Sequence, residues 1–160
     1  MSIRECAQED AATLAMLVSE SNKNVAVMFG LNADNCPKHP SFCTVDWVEA
    51  EFARGERYFV LEDETDGPVA CVAYESAGPG RAYLNRLSVL PTHRRAGTGA
   101  RLVQYVADYA RCAGAATVSI GVIGEYVHLQ CWYNKLGFID GETKRFAHLP
   151  FSVKYMTLAL

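Results

Sequence analysis

Apolar residues recur in two rhythms along this chain, and the places where each rhythm stops outline its elements. Ile3 to Cys6 predicts a short strand, after which Glu9 and Asp10 open a helix whose Leu14, Leu17 and Val18 return at three- and four-residue spacing. From residue 20 to 44 the rhythm is lost. Asn22, Asn24, Gly30, Asn32, Asn35, Pro37 and Pro40 are turn formers around an apolar patch from Val25 to Leu31, and they predict a long irregular loop. Asp46 is placed to cap a helix carrying Trp47, Val48, Ala50 and Phe52, which Gly55 ends. Residues 57–62 and 69–75 read as two strands joined by a turn over 63–68, and residues 81–90 as a third that Pro91 stops. A helix is expected over 98–113, with Leu102, Val103, Val106 and Ala110 on one face and Gly114 behind it. The β-rich run 117–122, a helix over 125–136 closed by Gly137-Phe138, and an alternating strand over 152–160 complete the pattern.

The resulting order, β-α-α-β-β-β-α-β-α-β, describes a mixed α/β sheet with helices on both faces, in a single domain spanning residues 1–160. Composition narrows what such a domain does. Half of the 160 residues are apolar and 21% are charged, which excludes a disordered or low-complexity chain. With 15 basic against 18 acidic residues the net charge is −3, and the longest basic run is His93-Arg94-Arg95, so no nucleic-acid partner is expected. No apolar stretch approaches the roughly 20 residues needed to span a bilayer, so no membrane partner is expected either. Glu5, Glu9 and Asp10 precede the apolar run Ala11 to Val18 where a signal peptide wants positive charge. The six scattered cysteines fit reduced thiols and a cytoplasmic protein better than a disulfide framework. Cys36-x-x-His39-x-x-x-Cys43 offers three zinc-type ligands in a proline-interrupted loop, one short of a structural site, and no metal is expected.

The densest chemistry lies between Leu87 and Leu102. A strand end and a proline stop lead into Arg94 and Arg95, and then into Gly97 and Gly99 at the start of a helix. The glycines let main-chain N–H groups turn outward at the positive helix end, which makes an anion cradle. A P-loop is excluded because the dipeptide Gly-Lys occurs nowhere in the chain. A dinucleotide fingerprint is disfavoured because Leu102 stands where its third glycine or alanine belongs.

The pattern Arg94-x-x-Gly97-x-Gly99, following Leu87-Ser88-Val89 and Pro91, resembles the pyrophosphate-binding motif of the GNAT superfamily of acyl-CoA-dependent N-acetyltransferases. The later block Cys131-Trp-Tyr133-Asn-Lys-Leu-Gly137-Phe138, after the strand Val118 to Val122, is similar to that family's tyrosine-bearing helix and its Gly-Phe pair. The resemblance implies a central mixed sheet and acetyl-CoA as co-substrate. It also implies acetyl transfer to a primary amine of a small molecule or peptide, by direct attack in a ternary complex. The main chain of Leu87, Ser88 and Val89 would pair with the pantetheine arm. Arg94, Arg95, Ala96, Gly97, Thr98, Gly99 and Ala100 would hold the pyrophosphate, and Tyr133 would protonate the departing thiolate or stabilise it by a hydrogen bond.

For the acceptor, the resemblance points to the strand carrying Tyr83 and Asn85, where some members keep a carboxylate. Glu75, Glu125 and His128 are further candidates for the base, and a water chain is the alternative to any of them. Tyr126 stands where relatives commonly carry an asparagine. A CoA-binding regulatory module without turnover is the alternative reading, and a homodimer is a fair expectation for the family. The irregular segment 20–44 is expected to shape the acceptor site, so that exchanging it changes acceptor choice and leaves CoA affinity intact.

Overall fold

Tyr58 and Phe59 are neighbours on one strand, both buried, and they face opposite ways into two separate cores. The computed structural model describes residues 1–160 and contains one seven-stranded sheet between them. In chain order its elements are β1 (Ser2–Glu5), α1 (Ala11–Met28), α2 (Val45–Ala53), β2 (Arg57–Asp63), β3 (Gly67–Ser76) and β4 (Arg81–Val89). Then follow α3 (Thr98–Cys112), β5 (Thr117–Ile123), α4 (Val127–Lys135), β6 (Ile139–Arg145) and β7 (Ser152–Ala159). The strand order is β1-β2-β3-β4-β5-β7-β6, antiparallel throughout except for the parallel pair β4 and β5.

Alternation along the central strands divides the molecule. Phe59, Leu61, Val72 and Tyr74 point to the face covered by α3 and α4, where Leu102, Val103, Val106, Ala110, Tyr133 and Phe138 meet them. Tyr58, Val60, Cys71 and Ala73 point to the other face, against Leu14, Leu17 and Val18 of α1 and Val48 of α2. Each fully buried large side chain contributes roughly 1.5–3 kcal/mol relative to leaving it in water. Because both faces are covered, β2 and β3 read as continuous apolar runs. All six cysteines are free thiols, four of them buried, and no helix is long and apolar enough to cross a membrane.

Four expectations change. The irregular segment does not begin at residue 20, because α1 runs on to Met28. Its second half faces a polar cleft instead of the core. Asn22 donates to Val18 O at 2.7 Å and to Ser88 Oγ at 3.3 Å, Ser21 is buried, and Val27 and Met28 face solvent. That inverted pattern hides the helix from a hydrophobic reading. β6 was absent from the predicted order because all seven of its residues are exposed and its sequence, IDGETKR, has no apolar alternation. It is a strand through its ladder with β7, where a Cβ on Gly141 would stand 2.9 Å from Tyr155 O, so the position accepts only glycine.

α4 begins at Val127, two residues late, because the Glu125 carboxylate accepts the N–H and hydroxyl of Ser152 at the start of β7. α2 is capped by Thr44, whose Oγ1 accepts Trp47 N–H at 3.4 Å, and not by Asp46, which lies in the first turn. Thr44→Ala is therefore expected to cost about 1 kcal/mol in chemical denaturation and Asp46→Ala less. The reverse ranking would return the cap to Asp46.

The feature that positions the site is a break in β4. Ala73 pairs with Asn85 and Cys71 with Ser88, so Arg86 and Leu87 together stand opposite Val72. This is a β-bulge, and Arg86 adopts φ +58°, a conformation that costs a non-glycine residue of order 1 kcal/mol or more. β4 pairs with β5 only over Arg81–Tyr83 against Thr117–Ser119. Beyond that point the two parallel strands separate, and the sheet opens.

Candidate active site

On one side of the opening lies the predicted cradle. Arg94 N–H returns to Pro91 O and Arg101 N–H to Gly97 O, and between them the amides of residues 95–100 donate to no main-chain oxygen. Arg95 and Gly97 both have positive φ, 66° and 78°, which turns successive N–H groups toward one side as in an anion-binding nest. The first turn of α3 has no side-chain cap, so its donors and the positive end of the helix dipole stay available. A cavity of about 300 Å³ runs beside it, lined by Leu87, Ser88, Val89 and all of residues 94–100 except the exposed Ala96.

Two buried hydroxyls in the wall of this cavity, Thr98 Oγ1 and Ser21 Oγ, have no partner. Orphaned buried donors are costly, and a ligand rich in acceptors would satisfy them. A Cβ on Gly99 would press on the Trp132 ring at 3.3 Å, so the tight approach of α3 to α4 needs glycine there. The donor set of amides, hydroxyls and one free guanidinium fits a diphosphate.

Arg94 sits in the cavity wall but serves mainly as a strut. Its Nε donates to Val89 O at 3.0 Å and its Nη2 to Ser21 O, tying the loop to β4 and α1. Arg95 is exposed and in no ion pair. Ser88 contributes main chain only, because its buried hydroxyl donates to Arg86 O at 3.0 Å and accepts from Asn22.

A second cavity, of about 520 Å³, shares Asn22, Val25, Leu87, Tyr126 and Leu129 with the first. Tyr133 lines it from α4. The side chain is 5% exposed, its ring is held edge-on by Trp132 and Phe138 at 4.9 and 5.3 Å, and its hydroxyl makes no hydrogen bond within the chain. Burial raises its pKa, so the phenol keeps its proton at any working pH. Tyr126 closes the cleft from above, its ring 5.5 Å from that of Phe29 at the end of α1.

Three carboxylates line the same cavity. Asn85 Nδ2 donates to Glu56 Oε1 and to Glu75 Oε1, each at 3.1 Å. Glu56 is 6% exposed and burial raises its pKa, with the Asn85 hydrogen bond acting in the opposite direction. Both oxygens of Glu51 are engaged, one by Arg86 at 3.0 Å and the other by the Tyr58 hydroxyl. Arg86 also lies over the Trp47 ring, 5.6 Å from its centroid, so α2 holds the strained bulge residue by an ion pair and a cation–π contact.

Of the sequence candidates for the acceptor side, Asn85 and Glu75 come together with Tyr133, whereas Tyr83 lies outside both cavities. It is 41% exposed, paired opposite Glu75 and Ser119 where β4 and β5 still run together. Glu125 and His128 are exposed and line neither cavity, and the bonds from Ser152 hold Glu125 below the usual carboxylate range. Glu51, Glu56 and Arg86 were not foreseen. No local pattern distinguishes Glu56 among 18 acidic residues; only the register of β2, β3 and β4 brings it to Asn85.

Residues 9–138 match the Acetyltransferase (GNAT) family. Among curated proteins, the chain is 29% identical over 101 residues to the [Ribosomal protein bS18]-alanine N-acetyltransferase of Escherichia coli (strain K12), covering 62% of this chain and 68% of that one. The solved structure of the ribosomal-protein-S18-alanine N-acetyltransferase from Escherichia coli superposes with a TM-score of 0.77 at 16% identity, over 99% of this chain and 92% of that one. The Salmonella typhimurium protein yncA, solved with its cofactor acetyl-CoA, has a TM-score of 0.67 at 19% identity, over 100% and 94% of the two chains.

Proposed function

The chain belongs to the GNAT family of acetyltransferases, and from that premise we propose that it transfers the acetyl group of acetyl-CoA to a primary amine by direct attack, within the single domain 1–160. The observation that carries this reading is the joining of two cavities through one split in the sheet. One is an anion cradle, and the other holds an unpartnered phenol among carboxylates. Acetyl-CoA, the co-substrate typical of the family, supplies an activated acetyl thioester.

The amides of residues 95–100, with Thr98 Oγ1 and Arg95, hold the diphosphate. The main chain of Leu87, Ser88 and Val89 receives the extended arm along the exposed side of β4, as an added strand would be received. Fixing both reactants across the shared wall at Leu87 supplies the orientation that a bimolecular reaction in water lacks. Tyr133 gives its proton to the sulfur as the C–S bond breaks, and recovers one from the nitrogen of the new amide. Its buried, neutral state suits a donor, and its free hydroxyl favours turnover over a role in binding alone.

The first acceptors to try are peptides headed by alanine, since the curated relative acts on an alanine of ribosomal protein bS18. Small alkylamines come next. The test is thiol release from acetyl-CoA with such a panel. Release that depends on the amine, with one acetyl amide formed per thiol, is expected. Release indifferent to every amine, or none, would contradict the reading.

The acceptor-loop expectation also needs narrowing. Ser21, Asn22, Asn24 and Val25 line the cradle-side cavity, so exchanging the whole of 20–44 would disturb both ligands. Exchange of residues 31–39 is expected to alter acceptor choice alone.

A further inference from the structure

We propose that Glu56 and Glu75, joined through the Asn85 amide, form the subsite for the acceptor's ammonium group, and that Glu56 takes its proton. The proposal rests on the acetyltransferase reading and adds to it the charge class of the acceptor and the residue that serves as base.

One amide nitrogen holds both carboxylates at 3.1 Å, an arrangement that leaves two like charges close together in a largely buried wall. The groups facing Glu56 from every neighbouring element can be counted. α2 brings Glu51, the residue that follows it brings Arg54, β3 brings Glu75, β4 brings Asn85 and Arg86, the segment before α2 brings His39, and α4 brings Tyr133. Arg86 pairs with Glu51 at 3.0 Å, and Arg54, largely exposed, pairs with Glu56 at 3.2 Å. Three carboxylates against two guanidinium groups leave one uncompensated negative charge, since the other groups are neutral. Glu75 is in no ion pair, and Asn85 Oδ1 accepts no hydrogen bond within the chain. A single ammonium group completes this set with a charge for Glu75 and a donor for Asn85.

His39 does not compete as base. Ser41 N–H donates to its Nδ1 at 3.2 Å, which places the ring proton on Nε2, and burial lowers its pKa further. Glu51 is held by the strained Arg86 and by the buried Tyr58 hydroxyl, whereas the partners of Glu56 are the neutral Asn85 amide and the largely exposed Arg54. Glu56 is the buried carboxylate whose proton affinity burial increases, in the direction a general base for an ammonium requires. The unpartnered Tyr133 hydroxyl in the same cavity places an acid across from it.

The protons balance. Glu56 takes one from R–NH₃⁺, the freed lone pair forms the C–N bond, and the C–S bond breaks. Tyr133 protonates the sulfur and is reprotonated by the nitrogen, and Glu56 later releases its proton to water. The acceptor class that follows is a monocationic aliphatic amine, ahead of an aromatic amine that is already neutral near pH 7.

The probe is n-butylammonium chloride, titrated by calorimetry into the protein saturated with CoA, together with the pH profile of kcat/KM for n-butylamine. Glu56→Gln is expected to weaken butylammonium at least tenfold, lower kcat at least 100-fold and erase the acid limb of the profile, with CoA affinity unchanged within twofold. His128→Gln is expected to alter none of these. Unchanged butylammonium affinity and an intact acid limb in Glu56→Gln would overturn the proposal, as would a preference for aniline over n-butylamine. Should Glu56→Gln fail to fold, the same titration of the unaltered protein decides: affinity falls as the carboxylates take up protons, and affinity independent of pH between 8 and 4 overturns the subsite. Loss of CoA binding in the unaltered protein would instead strike at the acetyltransferase reading.

Discussion

Tyr133→Phe is expected to lower kcat by about 100- to 10,000-fold, the range that a positioned proton donor supplies. The substitution is clean for three reasons that the structure makes explicit. The hydroxyl has no partner within the chain, so its removal orphans nothing. The ring keeps its edge-on contacts with Trp132 and Phe138, and the buried position gains no cavity larger than the lost oxygen. CoA affinity and thermal stability are therefore expected to stay near those of the parent, and the loss should fall on kcat while KM for the amine moves little. Since burial raises the phenol's pKa, the parent should show no loss of activity at alkaline pH up to the ordinary tyrosine range. Turnover by Tyr133→Phe at the parental rate across pH would remove the proton-donor role. Steady-state kinetics on both proteins decides the matter.

The second large effect is expected at Gly97. Its φ of +78° lies where side chains are strained, and an added Cβ would meet nothing within 4 Å because the position opens on the cradle. Gly97→Glu thus places a carboxylate among the six unpaired amides, where it imitates the anion and repels the real one. A loss of CoA affinity of at least about 1,000-fold, roughly 4 kcal/mol, is expected in calorimetry. Gly97→Ala separates strain from occupation. It carries the backbone cost of about 1–2 kcal/mol without the charge, and should lower stability more than affinity. Retained CoA affinity in Gly97→Glu would mean that the diphosphate binds elsewhere.

Much of this arrangement is legible in the chain itself. The cradle is a local feature, written in a contiguous run of proline, arginines and glycines, and the same residues lie together in space. Tyr133 belongs to a block close enough in sequence to be recognised beside it. What the sequence withholds is long-range. The bulge at Arg86 requires an arginine in a left-handed conformation that no composition rule foresees, and α2 holds it through Glu51 and Trp47. The carboxylates of the acceptor cavity come from α2, the residue just before β2 and the end of β3, and only strand register gathers them. β6 and the second half of α1 escaped a hydrophobic reading for a common reason: each is stabilised by main-chain pairing or polar contacts and leaves its apolar side chains in water.

The split between β4 and β5 gives these parts their shared purpose. The most direct test of that claim is a crystal structure of the protein with acetyl-CoA. The account predicts the diphosphate on the amides of residues 95–100, the arm beside Leu87 to Val89, and the thioester within hydrogen-bond reach of the Tyr133 hydroxyl, facing the cavity that holds Glu56 and Glu75. A bound acetyl-CoA whose thioester lies away from Tyr133, or whose diphosphate leaves those amides free, would contradict it.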